Sequence, residues 1–297
     1  FKDDLKRKIG KIIFHKTGKK VKFENPDVVP VLNIPSGKIS LQIKPLYIYG
    51  RYLKKKRGIP QTKWFCRACR GKGCKECNFT GKMFQTSVEE MIAFDAMQMT
   101  GANDEAFHGA GREDEDVLML GNGRPFVLEL KSPRKRTLDL KVLQEKINKK
   151  YKGIVEVREL VLSERAKIQE IKSACHRKLY RASVKGKENF TEKIVRKLEK
   201  TFNNCLITQQ TPTRVSGRRA DIKRERKVFK FQVLEFNENR ATFLIEAQAG
   251  TYIKELISGD SGRTKPNISD VCGFLCEVEK LDVLEIEEKV AGEKTIL

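Results

Sequence analysis

The stretch from Phe107 to Lys131 constrains the fold more strongly than any other part of the sequence. Four acids, Glu113 to Asp116, come directly before an apolar run at 117–120. The turn sequence Gly121-Asn122-Gly123 follows, and a second apolar run covers 126–130. Two short apolar runs around an Asn-Gly turn predict a β-hairpin. The acids then lie on a loop that enters a rigid strand, which suits a catalytic carboxylate and equally suits a solvated surface turn.

The sequence carries a large excess of positive charge. Lys and Arg total 61 against 39 Asp and Glu, which gives a net charge of +22. Such an excess predicts a polyanionic partner, with nucleic acid first; a Lys/Glu-rich surface like that of thermophilic proteins is the alternative. Hydrophobic residues make up 39% of the 297 residues, enough for one large domain or one domain with an appended fragment. The sequence has no apolar run of about 18 residues that would span a membrane.

Four of the eight cysteines form a compact array with the spacing C-x2-C-x4-C-x2-C: Cys66, Cys69, Cys74 and Cys77. Two such pairs can offer four thiolates to Zn²⁺ in a tetrahedron. We predict structural zinc rather than a catalytic metal, because the array leaves no open coordination position; an iron–sulfur cluster or free thiols are the alternatives. The cysteine pattern is not that of a secreted disulfide framework, so we expect a reducing, cytoplasmic environment.

Basic residues are concentrated in three segments that suit RNA. The first follows the aromatic sequence Tyr47–Tyr52, where cations can contact phosphate while rings are available to bases. The second follows the predicted hairpin and the third lies within 209–230, and both indicate contact with the RNA backbone. The residues assigned to RNA binding are Lys54, Lys55, Lys56 and Arg57; Arg134, Lys135 and Arg136; and Arg214, Arg218 and Arg219.

Hydrophobic periodicity predicts both helices and strands, and therefore an α+β fold. Ser87 and Gly101 bracket a helix with an apolar stripe. A second helix is predicted from Leu140 to Tyr151. Strands are predicted at 28–32, 39–43, 154–162, 178–182 and 281–286.

Three short motifs carry a resemblance to a known enzyme family. Gly111-Arg112-Glu113-Asp114 looks like the G-R-x-D catalytic loop of pseudouridine synthases, and Lys178–Ala182 resembles their K-x-Y-x-A strand. The segment Gly250–Lys254 resembles the G-T-Y-I-[RK] motif of the bacterial tRNA TΨC-loop synthases. The chain as a whole resembles the archaeal and eukaryotic family that modifies two adjacent uridines in the TΨC loop of tRNA.

The resemblance implies a pseudouridine synthase fold: a mixed, largely antiparallel sheet with flanking helices and RNA-gripping loops. It implies isomerisation of uridine 54 and/or 55 without a catalytic cofactor, by a chain that we expect to act as a monomer on the TΨC arm. It makes Asp114 the catalytic carboxylate, Lys254 its paired cation and Tyr180 the ring that stacks on the flipped base. It also places Tyr252 beside that base, and Arg112 in the gap that the base leaves or on the phosphate.

The resemblance also implies how the chain is divided. Residues 1–48 correspond to the C-terminal part of a THUMP-like RNA-binding domain, and residues 49–297 to the catalytic domain. The cysteine array lies in an insertion at 63–80 that corresponds to the family's forefinger loop. Because about 50 residues can hardly bury a core alone, we expect residues 1–48 to be a truncated remainder.

Two rival functions use some of the same residues. Asp116 with Glu129 and Lys131 fits the D…E-x-K pattern of metal-dependent nucleases, in which two acids bind Mg²⁺ and the lysine assists water. That interpretation leaves Tyr180 and Lys254 without a role. A noncatalytic, zinc-containing RNA-binding protein would also account for the charge and the cysteines.

Overall fold

The apolar runs of the sequence assemble into one large sheet flanked by helices. The computed structural model describes residues 1–174, 177–218 and 220–287. The helices are α1 Lys2–Thr17, α2 Val88–Thr100, α3 Leu140–Lys150, α4 Ala166–Ser173, α5 Glu192–Phe202, α6 Ile253–Ser258 and α7 Ile268–Cys272. The strands are β1 Val28–Asn33, β2 Lys38–Ile43, β3 Leu46–Lys54, β4 Asp104–Gly109, β5 Leu118–Lys131, β6 Val155–Ser163, β7 Arg177–Gly186, β8 Cys205–Gln210, β9 Lys223–Asn237, β10 Arg240–Gln248, β11 Thr264–Lys265 and β12 Cys276–Ile286.

Ten strands of the described chain form a single sheet. Its order is β11-β8-β9-β10-β7-β12-β5-β3-β6, and β4 pairs with β5 off this path. The pairs are antiparallel except for β12 with β5, which is parallel. The predicted α+β class and the mixed, largely antiparallel sheet are therefore confirmed.

Several helices pack against the large sheet, as α2 illustrates. It begins where the Ser87 hydroxyl accepts the Glu90 N–H at 3.2 Å, and it ends at Gly101, whose φ is 63°. Both ends match the sequence prediction. Its side chains Met91 and Ile92 are buried in the core, and each such burial contributes roughly 1.5–3 kcal/mol. In the described ranges, no helix is both long and apolar enough to cross a membrane.

The hairpin predicted around Gly121-Asn122-Gly123 is wrong, because β5 runs through these residues without reversing. The register of β5 with β3 jumps from the pair Arg124–Tyr52 to the pair Met119–Lys54. The residues between Met119 and Arg124 therefore form an enlarged bulge in a continuous strand.

Neighbouring side chains explain why this Asn-Gly sequence does not turn. The Arg51 guanidinium donates to the carbonyl oxygens of Asn122 at 2.6 Å and Gly123 at 2.9 Å. The Asn122 side chain accepts the Ile286 N–H at 3.1 Å and donates to the Ile286 carbonyl at 2.9 Å. Polar groups that would face water in a turn are thus bonded to β3 and β12.

Residues 1–43 pack thinly against the rest of the described chain. α1, β1 and β2 contain no buried residue, and β1 and β2 pair only with each other. Arg136 ties this region down: its Nη1 donates to the Lys44 carbonyl at 2.6 Å and its Nε lies 3.0 Å from the Asp27 carboxylate. The segment therefore buries no core of its own.

Candidate active site

A pocket of about 260 Å³ lies where β5, β7 and β12 meet the start of α6. Tyr180 of β7 pairs with Val283 of β12, and both residues line it. The five residues that the sequence assigns to catalysis and base flipping also line it: Arg112, Asp114, Tyr180, Tyr252 and Lys254. Residues distant in sequence are thus brought together in one cavity.

Two cations surround the Asp114 carboxylate. Arg214 Nη1 lies 2.8 Å from Asp114 Oδ2, and Lys254 Nζ lies 3.4 Å from the same oxygen. Burial alone would raise the pKa of Asp114, but the charges of Arg214 and then Lys254 outweigh it and hold the pKa below its ordinary value. The carboxylate is therefore ionised at neutral pH.

Lys254 is shared between two acids. Its Nζ donates to both oxygens of Asp116, at 2.8 and 2.7 Å, and these contacts are shorter than its contact with Asp114. The ammonium thus bridges two carboxylates that would otherwise repel each other.

Arg214 is the main difference from the expected site. The sequence assigns it to the RNA backbone, but its Nε donates to Glu255 Oε1 at 2.6 Å while its Nη1 contacts Asp114. Among the basic residues of 209–230, nothing in the local sequence distinguishes this arginine, because the contact depends on how the segment folds over α6.

The two tyrosines occupy different walls of the pocket. Tyr180 is buried, and burial raises its pKa to about 12, so its hydroxyl remains protonated at neutral pH. Tyr252 precedes α6, and its backbone is fixed by Gln209, which accepts the Tyr252 N–H and donates to the Tyr252 carbonyl, both at 2.9 Å. No motif in the sequence around Gln209 predicts this contribution.

A buried polar network supports the Asp114 loop from below. The Tyr52 hydroxyl lies 2.9 Å from both oxygens of Glu113, and Gln61 Nε2 donates to the Tyr52 hydroxyl at 2.7 Å. Gln61 also donates to the Gly111 carbonyl at 3.0 Å. Glu113 in addition lies 2.9 Å from the Nε of Arg124. The residue beside Asp114 is therefore an anchor with several partners.

Lys178 forms part of the pocket wall next to this network. It is 7% exposed. Burial, and after it the positive charge of Arg124, lower the pKa of Lys178 to about 7. The pocket thus contains a lysine that is only partly protonated at neutral pH.

The assignment of Lys54 to RNA binding is wrong, because its side chain is fully buried. Its Nζ donates to the carbonyl oxygens of Ile59 at 2.7 Å, Asp114 at 2.9 Å and Glu115 at 3.1 Å. These bonds satisfy the ammonium group inside the protein, and they fix the backbone of the acidic loop.

The remaining predicted RNA contacts differ in their exposure. Lys56, Arg134 and Lys135 are exposed. Others already have protein partners: Lys55 with Glu156, Arg57 with Asp282, and Arg136 with Asp27. Arg112 is exposed, with its guanidinium carbon 5.0 Å from the centre of the Trp64 ring. Arg219 and the side chain of Arg218 lie outside the described residues.

The four cysteines of the array converge. Their sulfur atoms all lie within 4.8 Å of one another. Backbone N–H groups of Gly73, Cys74 and Gly81 point at these sulfurs at 3.2 Å. The N–H of Cys74 is the main cause that lowers the pKa of Cys77 to about 6. Such donors stabilise thiolates, so the array fits a tetrahedral thiolate-bound metal.

The nuclease residues do not converge. Lys254 binds Asp116, whereas His108 Nε2 lies 3.0 Å from Glu129 and Lys131 pairs with Asp104. In the part of the chain that the structure describes, the four cysteines form the one group of three or more potential metal ligands. Asp116 and Glu129 thus bind different partners.

Comparison with known proteins is consistent along nearly the whole chain. The family model described as "Pus10, C-terminal" matches residues 47–287, and "Pus10 THUMP domain, archaeal" matches residues 1–33. Three curated relatives carry the name tRNA pseudouridine synthase Pus10. That of Methanothrix thermoacetophila is 42% identical over 96% of this chain and 63% of its own length. That of Methanocaldococcus jannaschii is 49% identical over 91% of this chain and 59% of its own length.

The third relative, from Archaeoglobus fulgidus, is 45% identical over 96% of this chain and 79% of its own length. The chain thus spans about three fifths of the first two relatives and more of the third. Identity at this level over most of the chain, together with the match of residues 47–287, shows common ancestry and fold. The chain therefore belongs to the Pus10 family.

Proposed function

We propose that this chain carries the catalytic part of a tRNA pseudouridine synthase that isomerises uridine 54 and/or 55 in the TΨC loop. The observation that carries the proposal is the carboxylate of Asp114, which lies between two cations and lines the same pocket as Tyr180. The name of the relatives supports the same activity. The reaction rearranges one molecule, so it needs no cofactor.

Asp114 carries the chemistry. The bond between N1 and C1′ of uridine breaks, the base turns, and a bond between C5 and C1′ forms. The proton on C5 leaves and N1 gains one, so the overall change is an isomerisation. The Asp114 carboxylate acts next to C1′, either by attacking the sugar carbon or by removing the proton at C2′. Either route needs an ionised acid, which Arg214 and Lys254 maintain.

The other pocket residues hold the flipped base and its sugar. Tyr180 stacks on the base as a neutral phenol, because its pKa is raised to about 12. Tyr252 lies beside the base, and Lys254 offsets the repulsion between Asp114 and Asp116. Arg112 occupies the gap that the base leaves in the RNA, or contacts the phosphate.

Exposed cations bind the RNA backbone. The net charge of +22 supplies the long-range attraction. The exposed residues Lys56, Arg134 and Lys135 are the direct contacts that their positions favour. We assign residues 1–48 to the remainder of a THUMP-like domain and 49–297 to the catalytic domain. The chain acts as a monomer in the cytoplasm.

The insertion at 63–80 is held by zinc. Cys66, Cys69, Cys74 and Cys77 are the ligands, and the metal fixes the tight loop that carries Arg67, Arg70 and Lys72 towards RNA. The metal stabilises the loop and takes no part in the isomerisation.

The test uses an unmodified tRNA transcript that carries tritium at C5 of uridine. Isomerisation releases the tritium into water while the RNA stays intact on a denaturing gel, and we expect that result without added metal. Shortened RNA that depends on Mg²⁺ would support the nuclease instead. Binding of tRNA with neither release nor cleavage would leave a noncatalytic RNA-binding protein.

A further inference from the structure

Arg214 reaches the pocket from a segment that the sequence assigns to RNA binding. It lies in a short 3₁₀ turn, Thr213–Arg218, that follows β8. Its guanidinium contacts two carboxylates: Asp114 Oδ2 at 2.8 Å through Nη1 and Glu255 Oε1 at 2.6 Å through Nε. Of the two cations beside Asp114, Arg214 is the nearer, because Lys254 lies 3.4 Å away.

Several contacts fix the direction in which Arg214 points. Glu255 is buried on α6, with a side-chain exposure of 6%. The Thr213 N–H donates to Asp260 at 2.8 Å, and Arg263 Nη2 donates to the Thr211 carbonyl at 2.8 Å. The chain immediately before Arg214 is therefore bound to the segment that follows α6. A guanidinium held at one end by a buried carboxylate can hold another carboxylate in a defined place.

We propose that Arg214 is the positioning residue for Asp114: Glu255 orients its guanidinium, which in turn holds the Asp114 carboxylate ionised and correctly placed for the reaction. This inference rests on the proposed function. Lys254 holds Asp114 less directly, because its ammonium is bound more closely by both oxygens of Asp116. Arg214 thus acts through Asp114 and does not itself touch the reacting atoms.

Few charged groups lie close enough to Asp114 to position its carboxylate. Arg214 and Lys254 are its two direct cations, and Asp116 lies across Lys254. The other charged or titratable residues that line the same pocket are Arg112, Glu113, Arg124, Lys178, Tyr180 and Tyr252. The contact of Lys54 with Asp114 is to its backbone carbonyl and not to its carboxylate.

The test compares the full chain with Arg214→Gln, Arg214→Lys and the control Lys223→Gln. Lys223 is an exposed lysine of the same basic segment, so its replacement removes the same charge without touching Asp114. The first measurement is the Asp114 carboxyl pKa, followed by ¹³C NMR and assigned with Asp114→Asn. We expect Arg214→Gln to raise this pKa and Lys223→Gln to leave it unchanged.

The second measurement separates tRNA affinity from the rate of a single turnover at saturating protein. Arg214→Gln should slow that turnover roughly 10–100-fold while changing the tRNA affinity no more than Lys223→Gln does. Arg214→Lys should restore only part of the rate, because one ammonium cannot contact both carboxylates in the same geometry. Full restoration by lysine would overturn the positioning role.

An unchanged pKa in Arg214→Gln would also overturn the inference. A loss confined to tRNA affinity would overturn it as well, because Arg214 would then contact the RNA backbone and not position Asp114. If the unmodified chain forms no pseudouridine, the proposed function fails, and the NMR titration still decides whether Arg214 controls Asp114.

Discussion

The Glu113 carboxylate lies 2.9 Å from the Nε of Arg124, and each side chain is 1% exposed. The Nε–H bond is poorly aligned for a hydrogen bond, so this contact is held mainly by charge. Arg124 Nη1 also donates to the Ala110 carbonyl at 2.7 Å. The pair therefore ties the loop on both sides of Arg112 to β5, directly below Asp114.

Breaking the Glu113–Arg124 pair should lower the stability of the folded protein. Glu113→Gln leaves the Arg124 charge buried without a counter-charge, and we expect the free energy of unfolding to fall by about 3–5 kcal/mol. The control is Glu156→Gln, which breaks the half-exposed pair with Lys55 and should cost at most about 1 kcal/mol. Denaturant unfolding measures both. Equal losses would show that the buried pair is not an anchor.

The buried ammonium of Lys178 should make stability depend on pH. Its pKa is lowered from 10.5 to about 7, so between these values the folded protein binds fewer protons than the unfolded chain. Stability due to this group therefore rises with pH across that window, and its penalty is greatest below pH 7. Lys178→Met should stabilise the protein by about 2–4 kcal/mol at pH 6 and by much less at pH 10.

The control for that experiment is Lys185→Met, because Lys185 is exposed on the same strand. Chemical unfolding at several pH values measures the free energy of unfolding of each variant. For Lys185→Met, the difference in this free energy from the unmodified chain should not depend on pH. If the difference for Lys178→Met were also independent of pH, the result would contradict the lowered pKa of buried Lys178.

Gly121 is required by the close approach of β12. An added Cβ would lie 1.7 Å from the Leu284 carbonyl oxygen, and the residue has a φ of 57°. Gly121→Ala should lower the free energy of unfolding by roughly 3 kcal/mol or more. Gly153→Ala is the matched control, since its φ is 76° and no atom lies within 4 Å, so only backbone strain of about 1–2 kcal/mol applies. If thermal unfolding shows the same loss of stability in both variants, the close approach of β12 to Gly121 is contradicted.

The bulge in β5 is a case in which a local sequence pattern does not determine the structure. Ser87 and Gly101 end α2 as predicted, because caps act through bonds to neighbouring residues. The Asn-Gly sequence also carries a local turn signal, but contacts with Arg51 and Ile286, distant in sequence, override it. Such contacts cannot be derived from the pattern of 107–131 alone.

The residues of the candidate site also fall into two groups: those that motifs predict, and those whose roles depend on the tertiary structure. The pocket residues Asp114, Tyr180 and Lys254 were identified through motifs, and they do meet in one cavity. Lys54 and Arg214 were assigned from local charge, which is the same for a solvated cation as for a buried one. Lys54 is the buried last residue of β3, and Arg214 contacts Glu255 of α6, so only the tertiary structure separates their roles.

The cysteine array should bind about one Zn²⁺ per chain. Removing the metal with a chelator, or replacing Cys66 by Ser, should lower the melting temperature and weaken tRNA binding. The control is Cys205→Ser, since Cys205 lies outside the array. Metal content is read by elemental analysis. A metal-free protein that melts and binds tRNA like the purified one would contradict a structural metal, and bound iron with sulfide would identify a cluster instead.

The central claim is that Asp114, and not its acidic neighbours, performs the isomerisation. The most direct measurement is tritium release from C5-labelled tRNA in a single turnover by Asp114→Asn and by Asp116→Asn. We predict that Asp114→Asn lowers the rate roughly 10³-fold or more, while Asp116→Asn keeps a readily measured rate. Release by Asp114→Asn at the rate of the unmodified chain, or loss only in Asp116→Asn, would contradict the account.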